Sequence, residues 1–109
     1  MLIDTHAHIM FPEFDEDRGE VLKRAREAGL GAIVNVGCGA ESSEQSVEMA
    51  RRDESGFLYA TVGLHPYDAD QISDELMGKW EGWILEDQKR AERDTQNSGV
   101  FGRRIVAIG

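Results

Sequence analysis

Two histidines, His6 and His8, stand one residue apart at the end of a short apolar run near the start of the chain. In an extended strand, side chains two residues apart point to the same face, so the two imidazoles are expected to lie together. Imidazole nitrogen is a ligand for zinc, iron, nickel, copper and manganese. The pair therefore predicts a metal site, although a hydrogen-bonded polar edge strand is an alternative that these residues alone leave open.

The other candidate residues follow two further apolar runs. Asn35, Gly37 and Cys38 end the second run, and His65 with Pro66 follows the third. In parallel α/β folds, functional sites form at the carboxyl ends of the strands, so all three clusters are expected to face one rim. Taken alone, His65 is also explained as a turn residue, and Cys38 as a small buried apolar side chain.

The elements that must position these residues alternate in the order β-α-β-α-β-α-β. Apolar β-branched runs predict strands, amphipathic stretches predict helices, and Ser42 with Gln45 resembles a capping box at the start of the second helix. Tryptophans 80 and 83 lie on one helical face and are predicted to be core anchors. The predicted strands are 1–5, 32–36, 57–62 and 105–109; the helices are 15–28, about 42–52 and from about 74 into the polar stretch 86–104, with a turn at 97–99.

This alternation predicts parallel strands joined by right-handed crossovers. An open doubly wound sheet and part of a (β/α)₈ barrel both fit the pattern. A whole barrel takes about 250 residues. A chain of 109 residues could therefore supply about three and a half of its eight βα units.

Composition limits the classes of function. The chain has a formal charge of -9 and 40% hydrophobic residues, which is enough for a core. An acidic protein does not hold nucleic acid by electrostatics alone, so nucleic-acid chemistry would require divalent cations or basic residues elsewhere. No apolar run approaches the roughly 20 residues of a membrane span. The single cysteine, Cys38, favours a reducing cytoplasm.

Four segments, in order along the chain, resemble the TatD-type metal-dependent deoxyribonucleases of the amidohydrolase superfamily. The first contains His6 and His8, and the third is the Val-Gly-Leu-His-Pro sequence around His65. The matching segments are Leu2–His8, Phe11–Arg18, Val62–Pro66 and Val106–Gly109. Together they are much more specific than a pair of histidines.

The resemblance implies a partial (β/α)₈ barrel that hydrolyses phosphodiester bonds of DNA, often from an end. It implies one or two divalent ions (magnesium, manganese or zinc), with two expected in the complete protein. His6 and His8 match the first two metal ligands of the family, and His65 matches a histidine near the substrate phosphate. Two departures stand out: Met10 replaces the usual Asp or Asn, and the chain ends at Gly109, just before the bridging glutamate of the family motif.

We therefore expect residues 1–109 to be the N-terminal part of a single hydrolase barrel, cut after its fourth strand. Two alternatives remain open. The same rim could hydrolyse an amide, ester or lactone, or the chain could be a non-catalytic fragment, because two imidazoles alone make an incomplete site. Such a fragment is expected to self-associate through the unpaired edges of its first and fourth strands.

Overall fold

The computed structural model describes residues 1–97 and 103–109. Four strands alternate with three helices, and two short 3₁₀ turns interrupt the loops that follow β1 and β3. The elements are β1 (Leu2–Ala7), the first turn (Pro12–Phe14), α1 (Arg18–Glu27), β2 (Leu30–Val36), α2 (Ala40–Arg52), β3 (Leu58–Val62), the second turn (Pro66–Gln71), α3 (Asp74–Asn97) and β4 (Ile105–Ile108).

The four strands form one sheet in the order β1-β2-β3-β4, and every neighbouring pair is parallel. Sequential order with a helix in each connection is the arrangement of consecutive units in a (β/α)₈ barrel, so the predicted α/β class and partial barrel are confirmed. β1 and β4 lie at the two edges. Large apolar side chains are exposed on both of them: Leu2, Ile3, Val106 and Ile108.

The core lies between one face of this sheet and the helices. Ala60 and Val62 of β3 are fully buried against α2 and α3, where Trp80 is only 3% exposed. Leu58 and Ile33 occupy the same face, in register, and pack with side chains of α1. Burying such side chains supplies about 1.5–3 kcal/mol each. The prediction that the tryptophans are core residues is confirmed, since Trp83 also packs against this cluster.

Two carboxylates on the helix side hold the first residues of the next strand. The Asp53 carboxylate, just after α2, accepts the backbone N–H groups of Phe57 and Leu58, each at 2.7 Å, and also the Ser55 hydroxyl at 2.5 Å. Partial burial alone would raise the pKa of Asp53, but hydrogen bonds from Ser55, Leu58 and Phe57 outweigh it and lower the pKa below the ordinary carboxyl value.

Asp87 of α3 has the same task at β4. It is 2% exposed, and its Oδ2 accepts the backbone N–H groups of Arg104 and Ile105 at 2.8 and 3.0 Å. These bonds tie the last helix to the edge strand across the loop that joins them. The Asp87 carboxylate thus joins helix to strand by accepting backbone N–H groups that have no acceptor within the sheet.

Several predicted boundaries were wrong. The first helix begins at Arg18 instead of residue 15, because a 3₁₀ turn precedes it and Asp17 leaves helical geometry at φ -132°. The second helix has Gly39 as its N-cap, so the capping box at Ser42 does not form. β1 runs through His6 to Ala7, which places the first histidine inside the strand.

The end of α3 also differs from the prediction. The helix continues through the polar stretch to Asn97, so the predicted turn at 97–99 begins with a helical residue and otherwise lies outside the described residues. The helix is long but carries many charged residues. Within the described ranges, no helix combines the length and apolar character that crossing a membrane requires.

Candidate metal centre

A cleft of about 370 Å³ opens at the carboxyl ends of the strands. All three histidines of the chain line it: His6 from β1, His8 from just after β1, and His65 from the loop after β3. The lining residues are His6, His8, Phe11, Val36, Gly37, Cys38, Leu64, His65, Pro66 and Gly109. The prediction that three separate segments share one rim is confirmed for their histidines, for Gly37 and for Cys38.

The rings of His6 and His8 lie 5.1 Å apart, centroid to centroid, with an edge-to-face angle of 84°. Two imidazoles on one tetrahedral ion, with Zn–N bonds of about 2.1 Å, place their centroids at about 5 Å. The observed centroid spacing is therefore compatible with shared ligation. His6 is exposed and His8 is half-buried, so an ion can reach the pair from solvent.

His8 is held in one orientation by its surroundings. Its Nδ1 lies 2.8 Å from the carbonyl oxygen of Val36 at the end of β2, and because a carbonyl only accepts, Nδ1 carries the proton. Nε2 of the neutral ring then keeps a free lone pair, which is the arrangement usual for a metal-binding histidine. Phe11 stacks on the other side, with ring centroids 4.6 Å apart and planes 7° from parallel.

The donor set of the described residues is incomplete for a metal. No cluster of three or more His, Cys, Asp or Glu side chains able to hold an ion occurs within residues 1–97 and 103–109. Asp4 does not add a ligand to the pair, since its carboxylate accepts the backbone N–H of His6 at 3.0 Å. The chemistry of the two imidazoles fits a divalent ion, but they supply only two of its ligands.

A hydrogen bond fixes which ring nitrogen of His65 carries the proton when the ring is neutral. Its Nδ1 accepts the backbone N–H of Tyr67 at 3.1 Å, so the proton of the neutral ring resides on Nε2. Its own backbone N–H donates to the carbonyl of Cys38 at 2.7 Å, which fastens the loop after β3 to the loop after β2. His65 is therefore an exposed donor on a braced turn, able to meet an anionic oxygen.

The floor between β2 and β3 depends on close packing. A Cβ added at Gly37 would lie 2.6 Å from the Cα of Ser43 and 2.8 Å from the carbonyl oxygen of Thr61, so no larger residue fits there without movement. Ser43 is fully buried, and its hydroxyl bonds both the N–H and the carbonyl of Gly63 at 3.0 Å. This clasp fixes α2 against the end of β3.

Two sequence expectations at this rim need correction. The Asn35 side chain does not face the cleft: it is fully buried, and its Oδ1 accepts the backbone N–H of Ile9 at 3.0 Å. Cys38 is half-buried and lines the cleft instead of being a core residue, and its Sγ lies 3.5 Å from the Ser42 hydroxyl.

Sequence reasoning missed the role of Arg18. Its guanidinium donates to three successive backbone carbonyls after β1, those of Ile9, Met10 and Phe11, at 2.7, 3.1 and 2.9 Å. It also pairs with Asp15 at 2.8 Å. This side chain therefore holds the segment that presses Phe11 onto His8. An arginine at the first position of a helix that follows a loop of apolar residues was the available signal.

Met10, the departure from the family pattern, is 4% exposed. Its side chain is buried, and its carbonyl is one of the three acceptors of Arg18. A buried thioether at this position contributes packing where a carboxylate would contribute charge. The orientation of His8 in this chain thus rests on Val36 and Phe11.

Comparison with known proteins agrees with these observations. A family model described as TatD related DNase matches residues 3–109. A metal-dependent hydrolase, YabD, from Bacillus subtilis is 37% identical over 86 residues, covering 79% of this chain and 31% of that protein. The 3'-5' ssDNA/RNA exonuclease TatD of Cronobacter sakazakii is 38% identical over 74 residues, covering 68% of this chain and 27% of the exonuclease.

The TatD exonuclease of Erwinia amylovora is 34% identical over 74 residues, covering 68% of this chain and 28% of its own length. The chain thus spans between a quarter and a third of the curated relatives it matches. Because the family model extends over nearly the whole sequence, and the motifs that carry it lie at the strand ends described above, this chain belongs to the TatD-related DNase family.

Proposed function

We propose that this protein is a metal-dependent hydrolase of phosphodiester bonds in DNA, in which His6 and His8 hold a divalent ion and His65 contacts the substrate phosphate. The observation that carries the proposal is that one cleft brings together the histidine pair at the end of β1 and a third histidine from the loop after β3. Membership of a family whose relatives are named as metal-dependent hydrolases and exonucleases supports the same chemistry.

Each residue has a distinct task. His8 donates its Nδ1 hydrogen bond to the carbonyl of Val36 and offers Nε2 to the ion. His6, whose ring centroid lies 5.1 Å from that of His8, supplies a second nitrogen. A divalent ion in this site supplies Lewis-acid chemistry, polarising a phosphoryl oxygen and neutralising its charge. His65 donates its Nε2 proton to a phosphate oxygen, a charge-assisted bond that orients the scissile group.

The walls of the cleft strengthen these interactions. Phe11, Val36 and Leu64 are apolar lining residues, which lower the local dielectric constant beside the histidines. No lysine or arginine is among the described residues that line the cleft. In a chain with a net charge of -9, the bound cation therefore compensates the phosphate.

The proposal includes the rest of the site. We regard residues 1–109 as the N-terminal part of one barrel, whose remaining ligands lie in sequence that follows, with two ions (magnesium, manganese or zinc) in the complete protein. On its own the chain offers two imidazoles, so its affinity for a metal is expected to be low and its hydrolysis negligible. A reducing compartment such as the cytoplasm suits the free Cys38.

A second candidate function uses the same rim. A largely apolar cleft, with no lysine or arginine among its described lining residues, also suits an uncharged amide, ester or lactone, for which the ion would polarise a carbonyl. A third candidate, a non-catalytic fragment, is favoured by the two-ligand donor set of the described residues. These alternatives differ in what they hydrolyse and in whether they hydrolyse anything.

The deciding experiment expresses the whole reading frame that contains this chain, alongside the 109-residue chain itself. Release of nucleotides from labelled single-stranded DNA is measured with magnesium, manganese or zinc, next to panels of esters, amides and lactones. We expect DNA hydrolysis that chelator abolishes. Turnover confined to esters or lactones would favour the second candidate, and no metal-dependent turnover by the longer protein would favour the third.

Single variants then separate the roles. His8→Ala is expected to lower both metal affinity and hydrolysis, because it removes an oriented ligand. His65→Ala is expected to lower hydrolysis while leaving metal affinity unchanged. Metal binding is read by competition with a chromophoric chelator. Equal loss of metal affinity in the two variants would contradict the separate roles assigned to them.

A further inference from the structure

We infer that Tyr67 is a stacking platform for a nucleobase adjacent to the bound phosphate. The inference rests on the proposed function, which places a nucleic-acid phosphate at His65. It goes further by naming the group that recognises the base. Tyr67 is 90% exposed, the largest exposure among the aromatic residues on the described surface. Its ring centroid lies 4.7 Å from that of His65, which lines the cleft.

The backbone under Tyr67 is rigid although its side chain is free. The N–H of Tyr67 donates to His65 Nδ1, and the carbonyl of His65 accepts the N–H of Asp68 at 2.8 Å. Pro66 begins the 3₁₀ turn, and Gln71 at its end accepts the N–H of Ala40 at 3.0 Å. A tyrosine with two rotatable side-chain bonds on a pinned turn loses little entropy when a partner covers it.

This placement links the two parts of a nucleotide. A base that stacks on Tyr67 would lie beside the imidazole whose Nε2 proton is free for a phosphate oxygen. Single-stranded nucleic acids are bound in this way, by aromatic side chains that stack on splayed bases next to backbone contacts. The tilt of 53° between the two rings leaves one face of Tyr67 uncovered by His65.

Electrostatics makes such a contact necessary. Basic grooves usually provide most of the affinity for a strand, yet Tyr67 is followed by acidic Asp68 and Asp70, and the chain carries a net charge of -9. Arg18, the basic side chain nearest in sequence to the histidine pair, is engaged by three carbonyls and Asp15. Within the 109-residue chain, affinity for the strand is therefore expected to come from an ion and from contacts that carry no charge.

The test measures equilibrium binding by the 109-residue chain with manganese present, because this chain by itself is expected to hydrolyse the strand negligibly. Fluorescence anisotropy compares a labelled oligothymidylate with an abasic strand of the same length and charge. We expect the thymidylate to bind at least about fivefold more tightly, the lower bound for one stacked base. This ratio should not change between 50 and 200 mM salt, because the two strands carry equal numbers of phosphates.

Variants identify the side chain responsible. Tyr67→Leu should remove the preference for thymidylate, and Tyr67→Trp should keep it. Ile72→Ala is the matched control, since Ile72 is an exposed apolar residue (61%) just after the same turn, and it should leave the preference unchanged. Because both side chains are exposed, neither substitution is expected to unfold the chain.

Each outcome is informative about one of the two ideas. Equal affinity for the two strands, or a preference that survives Tyr67→Leu, overturns the stacking role even if the longer protein hydrolyses DNA. A preference that depends on Tyr67 in a protein without metal-dependent hydrolysis keeps the base site and overturns the proposed activity.

Discussion

Removal of the Arg18 guanidinium should both destabilise the fold and loosen the histidine pair. The variant is Arg18→Met, which keeps the aliphatic length and deletes the donors. Nε donates to the carbonyl of Ile9 at 2.7 Å, while Nη2 donates to the carbonyls of Met10 and Phe11. Without these bonds, the hydrogen bonds that remain to the segment after β1 are those of its own turns and the Asn35 contact to Ile9, beside the packing of Ile9 and Met10.

The expected cost follows from counting protons. Three N–H groups serve four acceptors, since Nη2 also reaches the Asp15 carboxylate at 2.8 Å. A hydrogen bond to a charged group contributes about 1.5–3 kcal/mol. The Arg18 side chain is 27% exposed, and the freed carbonyls can recover water, so about 1 kcal/mol for each proton is appropriate. The pair with Asp15, whose side chain is 67% exposed, adds little.

A loss of about 3 kcal/mol is large for a small domain. With a urea slope of about 1.5 kcal/mol per molar, the unfolding midpoint should fall by about 2 M. Arg24→Met is the matched control, because Arg24 is an exposed arginine on the same helix, and its midpoint should move by less than about 0.5 M. Arg18→Lys should be intermediate, since one ammonium cannot replace the fork.

The functional readout is zinc affinity in the folded variant. Phe11 stacks on His8 at 4.6 Å, so a loosened segment should free the imidazole and weaken binding. A midpoint within about 0.3 M of wild type, or an equal fall in Arg24→Met, would refute the stability argument. Unchanged zinc affinity in a destabilised Arg18→Met would refute the link between the segment and the histidines.

Three further predictions concern pH, α3 and the sheet edges. Because the pKa of Asp53 is lowered in the folded state, its contribution to the free energy of unfolding is complete above the unfolded pKa of about 3.9 and is lost as pH falls through the folded value. Asp53→Asn removes this contribution. The urea midpoint of the variant should therefore fall less steeply with decreasing pH below about pH 5. An unchanged slope would contradict the assignment. Asp87→Ala should lower the free energy of unfolding, measured with urea, by about 2–4 kcal/mol, because the backbone N–H groups of Arg104 and Ile105 lose their acceptor. Asp87→Asn keeps one side-chain oxygen and should lower it less. The reverse order would contradict the role of Asp87 as acceptor for these two N–H groups. We also expect the 109-residue chain to self-associate through its edge strands β1 and β4. The double variant Leu2→Lys with Ile108→Lys should shift its sedimentation toward the monomer. Unchanged sedimentation would show that the chains associate through another surface.

The alternation of elements could be predicted from sequence because each strand is a compact apolar run bounded by glycine or a helix. The β-branched run at the second strand and the apolar run at the third predicted buried parallel strands, and the structure buries Ile33, Ala60 and Val62. Parallel order then follows from the helical crossovers. This also explains why the histidine-bearing strand ends could be placed at one rim.

What could not be predicted depends on single hydrogen bonds between distant segments. Asn35 was expected at the rim because it stands at a strand end, yet its side chain is buried and accepts a hydrogen bond from the backbone N–H of Ile9. Local patterns do not encode this partner, because Ile9 is brought close to Asn35 only by the completed sheet.

The bond between His8 and Val36 has a consequence for the order in which the protein assembles. It joins residues 28 apart in sequence, so the orientation of the imidazole exists only after β1 and β2 have paired. An unfolded chain has no such preorganised pair, and an ion held by the two histidines would therefore bind the paired state preferentially. The ion would then stabilise the folded state by holding β1 in the sheet. β1 needs such support because it is an edge strand with a neighbour on one side only.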